Sequence, residues 1–369
     1  NWKTLNGWLS SNKKLKFQFF KDTENPYYNQ VFYVPIVNFN LYDGVTPGLR
    51  LYNKTFLERQ FQYDISPTYS FLEHTMVGKV GFRYRKYHKK TGLYVTNYSF
   101  SASTSHFQEN SRFTTITPAV VFGWRPNDLL SNRRQSLMFR YRSVFRNIDE
   151  SLAGELDTEP DYGVMNVRFT DVDNNILNYS SWSVDAQHSS EFTKLAFELE
   201  YRKLFQSNRQ LNLRFYAGKF LRNNTASNFF SFALDRPTDY MFDLAYLGRS
   251  EDSGLYSQQV IIAEGGFKSK LENPFANDWI ATTNASTNIW RWAEAYGDLG
   301  FIKNKGQDTR FVYDSGIRLN LVTDYFELYF PFYSNRGWEI GQDDYGQRIR
   351  FIVTISPRTL IGLFTRKWF

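Results

Sequence analysis

Four short groups of residues have the side chains for chemistry. Asp185, His188, Ser189 and Ser190 supply the carboxylate, imidazole and hydroxyls of a hydrolytic triad. A triad is an arrangement in space, however, and these four are neighbours in one short stretch, so a polar turn is the better reading. Asp171-Val172-Asp173-Asn174-Asn175 begins like a calcium loop, but Ile176 stands where the sharp-turn glycine is needed and Trp182 where the bidentate glutamate belongs. Gly265-Gly266 and the pair Gly297 and Gly300 lack the Gly-Lys-Ser/Thr of a phosphate loop. Glycines in strands more often mark bulges or the close approach of an inner element. The four histidines, His74, His88, His106 and His188, lie far apart, and none begins a His-Glu-x-x-His pattern. There is no cysteine, which excludes disulfides and thiolate metal sites. The residues therefore point to no catalytic group, no metal ligand and no cofactor in this chain.

A fifth set is larger and spread differently. Arg83, Arg85, Arg140, Arg142, Lys194, Arg202, Arg214, Arg318, Arg348 and Arg350 fall at alternate positions of apolar stretches, and Glu198, Glu200, Glu294, Asp298, Asp314 and Glu327 share their side. Such charges suit the interior of a barrel. They would make either a mildly anion-selective pore or a salt-bridged, wet interior that stiffens the wall and holds a plug. The second reading is the plainer one.

The elements that would position these charges are strands. In residues 192–221, Leu195, Phe197, Leu199 and Tyr201 alternate with Lys194, Glu198, Glu200 and Arg202; after a polar break at 206–209, Leu211, Leu213, Phe215 and Ala217 alternate with Asn212, Arg214 and Tyr216. A period of two makes each half a strand and the whole an antiparallel hairpin. One face is fully charged and the other is rich in Phe, Leu and Tyr. A soluble sandwich accepts neither, whereas an outer-membrane barrel uses both. Composition agrees: aromatics are 19% (Phe 35, Tyr 25, Trp 9) while mean hydropathy is only −0.50. No apolar run approaches the roughly 18 residues of a membrane helix. The net charge of +7 is modest and scattered along strands, which argues against nucleic acid.

Alternation gives strands at 31–41, 45–54, 61–71, 77–87, 94–103, 112–124, 137–146, 163–171, 176–186, the two of the hairpin, 260–270, 279–289, 293–303, 311–321, 325–333 and 347–355. The expectation is an all-β, transmembrane, antiparallel up-and-down β-barrel of about 16 strands, within 14 to 18. The tail from Ser356-Pro357 fits a short C-terminal helix or a closing strand ending at Trp368-Phe369; the helix is slightly preferred. Residues 1–28 read as a periplasmic junction or pre-barrel segment and 29–369 as the barrel. Long extracellular loops are expected at 147–162, which is acidic, and at 222–258, which is aromatic. The second loop, with Phe229, Phe230, Phe232, Tyr240, Phe242 and Tyr246, reads as a partner-binding surface, or as a plug if it folds inward. The N-terminus is expected in the periplasm of a bacterial outer membrane. Asn1-Trp2-Lys3 is not an export signal, so the chain reads as mature or as a piece of a longer one.

Five stretches resemble one family: LYDGVTPGLRLYNK (41–54), EYRKLFQSNRQLNLRFYAGKFL (200–221), AYLGRSEDSGLYSQQVIIAEGGFKSKL (245–271), YDSGIRLNLVTDYFELYFPFYSNRGWEI (313–340) and IRFIVTISPRTLIGLFTRKWF (349–369). They are similar to the C-terminal barrels of outer-membrane gluzincin-type (aminopeptidase-like) metallopeptidases of Bacteroidota. That resemblance implies a peptidase-like domain ahead of the barrel, with a zinc site of HExxH and a downstream Glu. No residue here matches that site, so any metallopeptidase activity would belong to an upstream domain.

The expected function is anchoring that periplasmic domain and docking with other envelope proteins in a larger outer-membrane assembly, for export or insertion of surface proteins. The alternative is a passive or gated channel for small solutes with a mildly basic lumen. A barrel-embedded hydrolase rests only on the weak Asp/His/Ser set. The expected partners are outer-membrane lipid and lipopolysaccharide, the periplasmic domain of the same gene product and other envelope proteins.

Overall fold

The computed structural model describes residues 13–19, 25, 27–53, 59–88, 92–128, 130–149, 161–225, 227–262, 264–322 and 326–353. The chain forms two compact units, residues 1–125 with 137–165 and residues 126–136 with 166–369. Its early strands are β1 (Lys14–Phe19), β2 (Tyr28–Asn40), β3 (Gly44–Tyr52), β4 (Phe61–Ser70), β5 (Thr75–Tyr87), β6 (Leu93–Gln108), β7 (Ser111–Trp124), β8 (Arg133–Asn147) and β9 (Asp161–Asn174). Next come β10 (Asn178–His188), β11 (Phe192–Leu204), β12 (Gln210–Asn223), β13 (Phe232–Ala233), the single turn α1 (Gly254–Ser257), β14 (Phe275–Ala276), β15 (Trp279–Trp290), β16 (Ala293–Lys303) and β17 (Arg310–Val322). The last described elements are β18 (Phe326–Ser334), β19 (Gly337–Trp338), the turn α2 (Tyr345–Arg348) and β20 (Arg350–Val353). Among the described residues eighteen strands belong to one sheet, and β13 and β14 make a separate small one. The fold is an all-β, antiparallel up-and-down β-barrel of the transmembrane class. Its strand number lies at the top of the expected range.

In the first unit, sequential strands pair as hairpins, and only β1 departs from the pattern by lying parallel to β2. The β2–β3 turn at 41–43 closes onto Gly44, whose φ of +64° is backbone that side chains rarely adopt. Across β5 and β6, Phe82 faces Phe100 and Tyr84 faces Tyr98, all four exposed, while on the other side Arg83 faces Ser99 and Arg85 faces Asn97. At one end of this unit Asp43, 1% exposed at its side chain, accepts hydrogen bonds from His106 Nδ1 at 2.6 Å, His106 N at 3.0 Å, Ser105 Oγ at 2.6 Å and Asn40 Nδ2 at 2.6 Å. Glu73, in the β4–β5 turn, lies 3.8 Å from His106 Nε2.

In the second unit the alternation reads inside-out. Leu195, Leu199, Leu213, Phe215, Leu299, Phe301 and Phe311 are exposed, while Lys194, Glu294, Asp298, Asp314, Glu327 and Arg350 are buried to 2% or less. A water-soluble protein would invert that, because a buried charge needs compensation and an exposed apolar face does not stay in water. Lipid on the outside and polar chain on the inside satisfies both faces. No helix among the described residues is long and apolar enough to cross a membrane, so strands do the crossing. The outer face carries a continuous file of rings at one end: Phe301–Phe311 (5.1 Å), Phe311–Tyr313 (5.7 Å), Tyr313–Tyr333 (5.7 Å) and Tyr333–Trp338 (5.6 Å). Trp290 and Trp292 meet edge to face at the β15–β16 turn. Amphipathic rings gather at the two water–lipid boundaries of a barrel.

Two strand assignments need correction. Strand β12 pairs directly with β15, from Leu211 opposite Thr287 to Lys219 opposite Trp279. Residues 224–278 are therefore an excursion from one hairpin, and the expected strand at 260–270 is no part of the wall. Alternation fails there at Gly265-Gly266, and the stretch packs against the wall's polar face instead. Arg348 sits in the helical turn α2 rather than on a strand, paired with Asp344 and Glu339. The acidic stretch 150–160, residues 1–12 and the tail 354–369, with both readings of its end, lie outside the described residues.

Candidate functional site

The chain brings its buried charges together where the excursion 224–278 meets the inner face of β11, β12, β15, β16 and β17. The insert has its own small scaffold. Strands β13 and β14 pair, Leu234 N–H donates to Pro274 O, and Phe267 N–H donates to Leu234 O. Arg236 donates to the carbonyls of Gly248, Arg249 and Glu251, and Arg249 pairs with Asp239. Burial pushes the Asp239 carboxyl up against the pull of Arg249. It pushes Asp235 up against the pull of Arg350, and it pushes the Lys270 ammonium down.

Two bolts fasten insert to wall, and they run in opposite directions. Lys194 of β11 reaches Glu264 of the insert at 3.6 Å and donates to Phe230 O at 3.2 Å. Its ammonium is enclosed by the rings of Phe232 (4.6 Å), Tyr240 (4.7 Å), Phe220 (5.5 Å) and Phe192 (5.7 Å). Desolvated cation–π contacts of this kind are worth about 2 kcal/mol. Burial raises the Glu264 carboxyl, with Lys194 opposing. Four residues on, Lys268 of the insert donates to both carboxylate oxygens of Asp298 on β16 at 2.8 Å. Between the bolts the wall takes up the insert's backbone: Arg214 Nη1 donates to Glu264 O at 2.7 Å and Asn284 Nδ2 to Gly265 O at 3.1 Å. Asp314 Oδ2 accepts the N–H groups of Lys268 (2.8 Å) and Ser269 (2.6 Å). Gly266 has a φ of +74°, and a Cβ there would stand 2.7 Å from Asn284 Oδ1. The pair Gly265-Gly266 does mark a close approach, but from the inner element's side.

The remaining ionic residues complete this face. Arg214 Nε donates to Glu198 at 2.7 Å, and Glu200 stands opposite Arg214 in the β11–β12 register. Arg202 lies over the Tyr179 ring. Arg318 joins Glu294 and Glu327. Arg350 donates to Asp235 O at 2.8 Å, and Val260 N–H pairs with Phe351 O, so β20 also holds the insert. In the first unit Arg142 is buried and Arg140 half-buried, on the β8 face opposite exposed Phe139 and Tyr141. A cavity of about 210 Å³ is left beside the bolts, with Glu198, Arg214, Lys268, Tyr296 and Arg318 among its lining.

The aromatic residues of the insert turn inward. Phe230, Phe232, Tyr240 and Tyr246 are buried, and Phe229 and Phe242 are half-buried. Phe230 packs on Phe192 (4.9 Å) and Phe232 on Phe220 (5.0 Å). The inward reading describes Phe230, Phe232 and Tyr240, which pack on the wall, while Phe229 and Phe242 keep part of their surface. Glu264, Lys268, Asn284 and Asp235 were missed as site residues. The available signal was a charge pair four apart, bracketing two glycines where alternation stops.

The other groups do not assemble chemistry. Asp185 binds Asn166, Gln187 and Arg168, whereas His188 Nδ1 contacts Thr193 Oγ1, so carboxylate and imidazole do not meet. Asp171 is held by Arg133 and Gln135 beside a hairpin turn. Among the described residues no group of His, Asp or Glu could hold a metal ion.

No family model and no curated protein matches the sequence. Among solved structures the chain is similar to CdiB from Acinetobacter baumannii, with a TM-score of 0.39, 12% identity, and coverage of 81% of this chain and 55% of that one. It is also similar to BamA from Haemophilus ducreyi lacking POTRA domains 1–3, with a TM-score of 0.43, 10% identity, and coverage of 83% and 66%. The chain spans less than two thirds of either protein. Likeness at these values carries nothing about function.

Proposed function

We propose that this chain is an outer-membrane barrel that serves as an anchor and docking scaffold rather than as an open pore. The observation that carries the reading is the bolted insert. A passive channel needs a wet path along its inner face. Here Lys194, Arg214, Asp298, Asp314 and Arg350 of that face are all bonded to residues 224–278. Charges used in fixed bonds to the chain's own interior stiffen a wall and do not select ions. The periplasmic peptidase-like domain, its attachment ahead of the barrel and the Bacteroidota origin come from the family resemblance. Docking with other envelope proteins, for export or insertion of surface proteins, extends that reading.

The test is conductance. The full chain in a planar bilayer is expected to be silent, and removal of residues 227–275 with a short linker in their place is expected to open steady current. Steady current through the intact chain would transfer the reading to the channel class. One observation favours a gated form of that alternative: the cavity of about 210 Å³ beside the bolts.

A further inference from the structure

Asp298 and Asp314 stand directly opposite each other in the β16–β17 register, each 2% exposed. Like charges in that position repel. Asp298 is surrounded by donors: Lys268 Nζ on both oxygens and Asn284 Nδ2 at 2.9 Å. Asp314 uses Oδ2 for the two insert N–H groups, while its Oδ1 is buried and has no donor. The register thus sets two buried carboxyl groups face to face on neighbouring strands. Two buried carboxylates so placed repel when both are ionised, and one proton removes that repulsion. Charge counting agrees. Among the described residues Lys268 is the one cation bonded to the pair, so two carboxylates and one ammonium are neutral when one proton is held.

We propose that Asp298 and Asp314 work as a single two-carboxylate catch that holds one proton and, in that state, clamps residues 264–269 to the wall. Losing the proton leaves two facing carboxylates against one ammonium, in a site water does not reach. Gaining a second leaves Lys268 without its counter-ion. Either change loosens the insert.

The other groups facing the pair do not replace the proton. Tyr296 on β16 has a buried hydroxyl with no partner, and Tyr329 on β18 donates to Glu327. Glu339, after β19, is met by Arg348 at 3.5 Å, and Arg350 on β20 makes no bond to the pair: it donates to Asp235 O and shares its charge between Asp235 and Asp314. The catch concerns the same insert as the proposed function, but it does not require the barrel to conduct, so the two fail separately.

Because the chain has no cysteine, single thiols report on the insert. Ser269→Cys lies at a fully buried site and Ser253→Cys at an exposed one, so the ratio of their maleimide labelling cancels the thiol's own pH dependence. In the full chain reconstituted in lipid, the ratio is expected to be low near pH 7 and to rise about tenfold per pH unit once the catch titrates at either extreme. Asp314→Asn keeps an acceptor for the insert N–H groups and needs no proton, so it is expected to abolish the alkaline rise. Asp298→Asn strips Lys268 of its counter-ion and is expected to label near pH 7. A flat ratio in the parent from about pH 4 to 10, or an Asp314→Asn profile that follows the parent, would overturn the proposal. If Asp298→Asn does not fold, the Asp314→Asn comparison decides alone.

Discussion

Asp43 shows how much one carboxylate can organise. It sits in the β2–β3 turn and gathers donors from its own turn and from Ser105 and His106 on β6. Burial alone would raise its carboxyl, but the bonds from His106, Ser105 and Asn40 outweigh that and hold it below the ordinary 3.8. A carboxyl depressed in the folded state stabilises above its unfolded value, and that contribution disappears as pH falls through the folded one. Hydrogen exchange at 41–44 and 105–106, corrected for intrinsic rates, should therefore be slow at about pH 6 and markedly faster at about pH 3. Equal protection at both would contradict the assignment. The sequence shows only part of this. Asp43-Gly44 reads directly as a hairpin turn because glycine supplies the left-handed backbone. That the same aspartate meets a histidine on a later strand depends on the register of the intervening strands, which no local pattern specifies.

At the scale of elements, the strands were legible and the insert only in part: 222–258 reads as a long loop or plug, but 260–270 does not. Every wall strand longer than six residues has a counterpart in the alternation, from β2 through β18, because a face turned to lipid leaves a period of two whatever its neighbours are. The stretch 260–270 looked like one more of them. Its position is set by distant partners, such as Asp314 for Lys268 N–H and Phe351 for Val260 N–H, and by Gly266, which brings its backbone onto Asn284 and Arg214. Gly266→Ala tests that contact. The left-handed φ and the displaced Asn284 side chain together should cost roughly 1–3 kcal/mol. The loss should appear as faster proteolysis of the insert while the wall's strand signal in circular dichroism is unchanged. Wild-type resistance would mean the close approach is not needed.

At the scale of the molecule the question is which face meets lipid. Phe197 and Glu198 are chain neighbours on β11 and point opposite ways, Glu198 toward Arg214 and Phe197 beside Phe215 on the outer side. Arginine at Phe197 should cost about 2–4 kcal/mol if that site lies mid-membrane, and Glu198→Gln much less. Folding titrations in lipid vesicles read both, and equal costs would reverse the assignment of faces. The ionic candidates were legible because charge on every second residue of an apolar strand has few explanations. What they bind was not, since the insert that meets them is specified by packing rather than by pattern.

The direct pairing of β12 with β15 also bears on how the hairpin can close. These two strands can zip together while the intervening residues are still loose, and a long flexible loop adds little to the entropy of that closure. Seating the insert need not precede that pairing. A cut at the exposed Ser253–Gly254 would leave two pieces still laced by nine rungs of sheet.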